Sequence, residues 1–206
     1  MSDKKLQKEG YEIIIERSSV TDDDLEHKYL AKRPIAEIID ATGNKTSMQC
    51  GTESASECNS IQEAVNASKT GETIKIIRDA VILSSKEAIT IPTGKDITID
   101  LNGKIIDIYN DVFINNASNI KIIDSSNQVD ANGDIVVDGT GRLKGNSVSQ
   151  TLISNSSTLE LDKVIIDTGI IDNLDNSTFT INSGLITGII QNTTGTININ
   201  GGAILK

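Results

Sequence analysis

Acidic side chains are the residues of this sequence with the clearest potential for chemistry. Cleavage of a polysaccharide requires paired carboxyl groups, or an acidic cluster that binds Ca²⁺, commonly beside an arginine or lysine base. The candidate catalytic residues are Asp124, Asp138 and Arg142, since Arg142 begins a compact basic pair. Their spacing alone does not place them on one face, so we expect solvated turn residues, with catalysis as the alternative hypothesis.

A second candidate is the segment DANGD, which has the alternating oxygen ligands of a calcium-binding loop. The candidate metal ligands are Asp130, Asn132 and Asp134. Gly133 is out of place relative to the EF-hand pattern, and no glutamate follows at the twelfth position. We therefore expect a polar loop without a bound cofactor, with Ca²⁺ as the alternative.

The two cysteines and the single histidine narrow the remaining chemistry. Cys50 and Cys58 flank a seven-residue loop, which a small disulfide would close in an oxidising compartment, with free thiols as the alternative. No histidine is near them in the sequence, which disfavours zinc. His27 lies in a charged N-terminal segment and is assigned no chemistry.

The composition predicts an aliphatic, β-rich protein with a sizeable core. The chain has 206 residues, 37% of them hydrophobic, with 35 isoleucines but only five aromatic residues, and isoleucine favours strands. A net charge of −10 disfavours nucleic acid as a partner, because phosphate binding requires clustered lysine and arginine. No apolar run approaches the roughly 18 residues of a membrane span, so we expect no membrane insertion.

The first 20 residues show no signal peptide. This leaves three possibilities for location: a cytoplasmic protein, export without a cleavable signal, or a fragment of a longer chain.

The N-terminal part of the sequence differs in character from the rest. We expect residues 1–58 to be a charged segment and loop, only partly ordered, that precedes a β-domain at 59–206. Within this segment, 21–33 has a short helical pattern, and 33–40 alternates between apolar and polar residues as strands do.

A capping helix is predicted at about 61–69. Ser60 and Glu63 have the spacing of a capping box, and Gly71 stands just beyond the helical pattern. The apolar face of this helix would cover the start of the β-rich segment that begins at residue 72, whose core and strand edges would otherwise be exposed.

The β-rich segment repeats itself with a period of about 19 residues. Residues 151–169, 170–188 and 189–206 align on their apolar positions, and an earlier copy begins near Phe113. Each copy has an asparagine at the same offset, which predicts a hydrogen-bonded ladder inside a turn. We interpret this ladder as structural, and its members are Asn116, Asn155, Asn173 and Asn192.

About three short strands in each period fit one coil of a parallel β-solenoid, and about seven coils fit into residues 72–206. The positions predicted to point inward are Ile114, Leu159, Leu161, Phe179, Ile181, Ile197 and Ile199. Because the last copy ends in the apolar strand GGAILK, we also expect either a longer native chain or end-to-end self-association.

The sequence also contains the run SIQEAVNASKTGETIKIIRDAV, followed by ITIPTGKDITIDLNGKII. This segment, residues 60–107, resembles the entry segment of right-handed parallel β-helix, pectate-lyase-like domains of bacterial cell-surface proteins, and 108–206 resembles them by repeat pattern alone. The resemblance implies an all-β fold, a right-handed parallel β-helix (β-solenoid) with an N-terminal capping helix. It also implies an extracellular or cell-surface location.

Members of that family are mostly large adhesin-like or uncharacterised extracellular proteins, with a minority of polysaccharide lyases and hydrolases. The resemblance therefore implies a non-enzymatic adhesin-like or structural module that presents a polar, acidic surface to a host or bacterial surface protein or glycan. The alternatives are a polysaccharide lyase or glycoside hydrolase, or its remnant, and a phage tail fibre component. A groove of clustered acids with arginine or lysine on one sheet would favour the enzyme, whereas flat faces of threonine, serine, asparagine and lysine would favour the module.

Overall fold

The computed structural model describes residues 11–13, 30–32, 34–46, 57–83, 88–109, 112–139 and 141–205. The chain divides into two compact units, Met1–Pro34 and Ile35–Lys206. In the first unit, β1 (Tyr11–Ile13) and β2 (Leu30–Lys32) form an antiparallel pair. β2 occupies the end of the helix predicted over 21–33, so that part of the prediction is wrong, and its other residues lie outside the described part of the chain.

The second unit consists mostly of short strands in three sheets whose neighbouring strands are largely parallel. The first sheet contains β7 (Ile89–Ile91), β10 (Ile114–Asn116), β15 (Thr151–Asn155), β18 (Ile170–Asn173) and β21 (Ile189–Asn192). The second sheet contains β3 (Ala36–Ile39), β4 (Glu57–Cys58), β5 (Thr73–Ile76), β8 (Ile97–Asp100), β11 (Asn119–Ile123), β16 (Thr158–Asp162), β19 (Thr178–Ile181) and β22 (Thr196–Ile199). The third sheet contains β6 (Ala80–Ile82), β9 (Ile105–Ile108), β14 (Arg142–Gly145), β17 (Val164–Asp167), β20 (Gly184–Ile186) and β23 (Ala203–Ile204).

The chain visits the three sheets in rotation. From β7 onward, each pass runs through one strand of the first, then the second, then the third sheet. Strands from successive passes are parallel neighbours, so that Ile122 lies between Ile99 and Leu161 in the second sheet. The first sheet has five strands, which gives five complete passes and makes the prediction of about seven coils too high.

A hairpin between β11 and β14 accounts for part of this difference. It consists of β12 (Gln128–Val129) and β13 (Ile135–Val137), which pair with each other and not with the parallel sheets. Its tip lies against later passes, because Gly184 N donates to Gly133 O and Gly202 N donates to Asn132 O, both at 3.0 Å. The sequence signal for this hairpin is the pair Asn132–Gly133, which favours a tight hairpin turn.

The inward-facing side chains form an aliphatic core. Five of the seven predicted inward residues are at most 1% exposed: Ile114, Leu159, Leu161, Phe179 and Ile181. Ile197 is only partly buried, and Ile199 is 57% exposed, so the prediction for Ile199 is wrong. The physical reason is that β22 is the last strand of the second sheet among the described residues, and no later strand covers it.

The second unit begins at Ile35, before the domain start expected at residue 59. β3, which lies within the strand predicted over 33–40, pairs antiparallel with β5 and extends the second sheet. The strand is followed by a turn at Asp40, whose carboxylate accepts hydrogen bonds from the Thr42 side chain at 2.7 Å and from Asn44 N at 3.0 Å. These bonds lower the pKa of Asp40, because they favour its ionised form.

Helix α1 (Ile61–Ala67) confirms the predicted capping helix. Ser60 Oγ accepts a hydrogen bond from Glu63 N at 3.1 Å, and Glu63 Oε2 accepts one from Asn59 N at 3.0 Å, which completes a capping box. The apolar face of α1 is buried through Ile61 and Val65. No helix in the described ranges is long and apolar enough to cross a membrane.

Two side chains attach α1 to the parallel strands. Gln62 Oε1 accepts a hydrogen bond from Thr90 N at 2.6 Å, and Gln62 Nε2 donates to Thr90 O at 3.2 Å, so one amide binds both backbone groups on the edge strand β7. At the end of the helix, Lys95 Nζ donates to the backbone carbonyls of Val65, Asn66 and Ser68 at 2.7, 3.0 and 2.5 Å. The carbonyl end of a helix is partially negative, so the ammonium group stabilises it.

We expect Lys95→Met to lower the free energy of unfolding by about 1–2 kcal/mol, because three carbonyl groups lose a charged donor. Lys69→Met is the matched control, since the exposed Lys69 lies near the same helix end. Urea denaturation of the three proteins measures the difference. Equal stability of the two variants would show that Lys95 does not stabilise α1.

Candidate functional site

The outer side of the second sheet, which we call the polar face, carries the side chains that alternate with the buried ones. One row contains Thr98, Lys121, Glu160, Thr180 and Asn198, one residue from each pass. A second row, two residues earlier on the strands, contains Asn119, Thr158, Thr178 and Thr196. All of these residues are half-buried or exposed. Successive passes lie about 4.8 Å apart, so the rows form a regular lattice of hydroxyl, amide and charged groups.

Charged groups on the polar face form one mixed cluster, the Lys121 cluster, which consists of Lys121, Glu160 and Asp162. Lys121 Nζ lies 2.7 Å from Glu160 Oε1 and 3.4 Å from Asp162 Oδ2. Glu160 Oε1 also accepts a hydrogen bond from Asn182 Nδ2 at 2.7 Å, and Asn182 Oδ1 accepts one from Asn200 Nδ2 at 2.8 Å. The two carboxylates are therefore paired with groups of the protein itself.

Sequence reasoning did not single out the Lys121 cluster, although the signal was present. The repeat alignment matches Ile120 with Leu159, so the next residues, Lys121 and Glu160, have to be neighbours on the opposite side of the sheet. Strand alternation turns a core alignment into a surface alignment in this way.

The environment of Lys121 favours its charged form. Partial burial acts against the charge, but the hydrogen bond with Glu160 and the negative charges of Glu160 and Asp162 outweigh it and raise the pKa of Lys121 above 10.5. Because the folded-state pKa exceeds the unfolded value, the stabilisation from this cluster is fully present at neutral pH. It is lost as the pH rises above 10.5 and through the folded-state pKa.

We expect the side-chain Cε resonance of Lys121 to titrate above pH 10.5 in the folded protein. In Glu160→Gln the midpoint should fall, because the principal partner of the ammonium group loses its charge. An NMR titration of both proteins measures this directly. An unchanged midpoint in the variant would rule out Glu160 as the cause of the raised pKa.

The asparagine ladder positions the threonine row of the polar face. Asn116 Nδ2 donates to Asn155 Oδ1 at 2.7 Å, and Asn155 Nδ2 donates to Asn173 Oδ1 at 2.8 Å. Asn173 Nδ2 continues the ladder to Asn192 Oδ1, also at 2.8 Å. The same Nδ2 atoms of Asn116, Asn155 and Asn173 donate, at 3.0 to 3.2 Å, to the backbone carbonyls of Thr158, Thr178 and Thr196. The ladder thus fixes the point at which each strand of the polar face begins.

The candidate catalytic acid Asp124 is fully buried in a turn. Its Oδ1 accepts hydrogen bonds from Gly103 N at 2.9 Å, Ser126 N at 2.9 Å and Ser126 Oγ at 2.6 Å. Its Oδ2 has no hydrogen-bond partner and faces Gly141, where a Cβ atom would overlap it. These contacts tie Asp124 to the turn and leave it no surface for a substrate.

The other two catalytic candidates form an ion pair with each other. Arg142 Nη2 lies 2.8 Å from Asp138 Oδ2. Both side chains are partly exposed, whereas Asp124 is buried, so the structure does not present the three residues on one surface.

The candidate calcium residues form the turn of the β12–β13 hairpin. Asp130 Oδ1 accepts hydrogen bonds from Asn132 N at 2.8 Å and from Asp134 N at 3.1 Å. Gly133 has a φ of 85°, a left-handed conformation that glycine adopts readily. Within the described residues, no group of three or more His, Cys, Asp or Glu side chains is arranged to hold a metal ion.

Cys58 is buried and takes part in a disulfide bond. The only other cysteine of the sequence, Cys50, lies outside the described residues, as does His27. Cys58 lies on β4 at the edge of the second sheet, next to α1, which indicates a structural role.

Comparison of the chain with protein-family models, curated proteins and solved structures gave no match.

Proposed function

We propose that the second unit is a right-handed parallel β-helix whose three faces are the three sheets. The rotation of the chain through these sheets, the in-register pairing of successive passes and the asparagine ladder support this architecture. A right-handed path follows from the strong preference of parallel crossover connections for that hand. Helix α1 then acts as the N-terminal cap, because it places apolar side chains over the core at this end.

Within this architecture, the chain is a non-enzymatic adhesin-like or structural module of a bacterial surface protein. The observation that carries this proposal is the polar face, on which threonine and asparagine repeat from pass to pass in flat rows. Such rows offer hydroxyl and amide groups at fixed spacing to a protein or a glycan, while the buried asparagine ladder keeps their positions rigid. The cell-surface location rests on the family resemblance of residues 60–107.

A polysaccharide-cleaving enzyme, or its remnant, is the second candidate, and the Lys121 cluster favours it. Two carboxylates and an ammonium group on one parallel sheet are the residue types that such chemistry uses. Against this candidate, Lys121 already pairs with both carboxylates, and its raised pKa opposes action as a base at neutral pH.

The experiment measures binding and turnover with the same probes, a mucin glycoprotein and a panel of acidic and neutral polysaccharides. We expect saturable binding without the release of reducing ends or unsaturated products. Thr178→Arg should weaken binding by about tenfold or more, because it obstructs the centre of the polar face. Asn115→Arg is the matched control, since Asn115 is exposed on the first sheet.

Two results would contradict the proposal. Equal binding by the two arginine variants would remove the polar face as the contact surface. Product formation that Glu160→Gln abolishes would establish the enzyme instead.

A further inference from the structure

The last pass through the sheets exposes aliphatic side chains at positions that earlier passes bury. Ile199 is 57% exposed, whereas Ile181, its register partner in the preceding pass, is 1% exposed. Ile204 is 43% exposed beside Ile186 at 1%. β21, β22 and β23 are each the last strand of their sheet among the described residues, so one backbone edge of each is also uncovered. We call the surface formed by these three strands the open end.

The open end is electrically neutral in a protein that is otherwise acidic. Residues 176–205 contain no Asp, Glu, Lys, Arg or His, although the whole chain has a formal net charge of −10. Two copies can therefore bring their open ends together without contact between like charges, which opposes association elsewhere on an acidic surface.

The opposite end of the unit is closed over its core and over two of its three sheets. Helix α1 buries Ile61 and Val65 there, and Gln62 binds both backbone groups of Thr90 on the edge strand of the first sheet. In the second sheet, β3 covers the edge of β5. Head-to-tail stacking would have to displace these contacts, whereas two open ends can meet directly.

We propose that two copies of this chain associate open end to open end in a two-fold symmetric dimer. A two-fold axis across the junction reverses the strand direction of one copy relative to the other, so the edge strands meet antiparallel and their backbone groups can pair. Ile199, Ile204 and Leu205 of both copies are removed from water in this arrangement. The dimer goes beyond the proposed binding function and does not depend on it.

Sedimentation of the 206-residue chain over a range of concentrations, from micromolar to near millimolar, tests the proposal. We expect a monomer–dimer equilibrium that stops at two copies, because two joined open ends leave no further open end. Hydrogen exchange at both extremes of concentration locates the junction, and the amides of β22 should gain protection as the dimer forms.

A charged substitution at the open end provides the decisive comparison. Ile199→Lys should raise the dimer dissociation constant by about tenfold or more, because two-fold symmetry brings two added ammonium groups together at an apolar junction. Val136→Lys is the matched control, since Val136 is 60% exposed on the hairpin, and it should dimerise as the unsubstituted chain does. Circular dichroism confirms that each variant is folded.

A monomer at every concentration would overturn the proposal, as would equal dimerisation of the two lysine variants. Growth beyond two copies would show head-to-tail stacking instead. A stable trimer would likewise exclude the two-fold arrangement and would favour a fibre component.

Discussion

Leu161→Asp is expected to lower the free energy of unfolding by about 3–5 kcal/mol, because it places a carboxylate without a partner in an aliphatic stack. Leu161 is 1% exposed and lies between Ile122 of one neighbouring pass and Ile181 of the other. Neither neighbour can donate a hydrogen bond from its side chain to the new carboxylate. Chemical denaturation in urea at neutral pH measures the loss.

The matched control for this substitution is Val148→Asp, at a position that is 64% exposed. The same kind of change at the surface should alter stability by no more than about 0.5 kcal/mol. A Leu161→Asp protein as stable as this control would mean that Leu161 does not point into the core, and the strand register of the second sheet would be wrong.

Gly184→Ala is expected to cost about 2–4 kcal/mol, since it combines a strained backbone with a clash that cannot relax. Gly184 has a φ of 120°, and a Cβ atom there would overlap the backbone oxygen of Val164. Because the clash is with backbone, no side-chain rotation relieves it. Gly184 N also donates to Gly133 O of the hairpin at 3.0 Å, so movement of this strand would break that contact too.

Gly94→Ala separates the two causes. Gly94 has a φ of 82°, but a Cβ atom there would meet nothing within 4 Å, so only the backbone strain of about 1 kcal/mol is expected. Urea denaturation of both variants measures the difference. Equal losses would show that the third-sheet strands near Gly184 are not packed as closely as the structure describes.

Features that depend on local sequence could be predicted well. The capping box of Ser60 and Glu63 begins α1, and the repeated asparagines form the ladder, because each depends on a short spacing within one repeat. The burial of Leu161 and Phe179 follows from the same alternation of inward and outward residues.

Features that depend on an interruption of the repeat were harder to predict. The apolar run in β13 resembles one more strand of the parallel sheets, and only the Asn132–Gly133 pair distinguishes it as one arm of a hairpin. Ile199 follows the same pattern as Ile181, but its exposure depends on whether another strand covers it, which the repeat pattern does not contain. The pairing of Lys121 with Glu160 spans the hairpin, so it follows only from an alignment that skips that insertion.

The stacking of successive passes in register is tested most directly by methyl NOE contacts in a protein labelled at isoleucine and leucine methyl groups. The structure predicts that the methyl groups of Leu161 give NOEs to both Ile122 and Ile181, which lie far apart in sequence but adjacent in the second sheet. It also predicts contact between Ile181 and Ile199, which are opposite each other in the last two passes. If Leu161 showed NOEs only to residues near it in sequence, or to only one of its two predicted neighbours, the stacked arrangement would be contradicted.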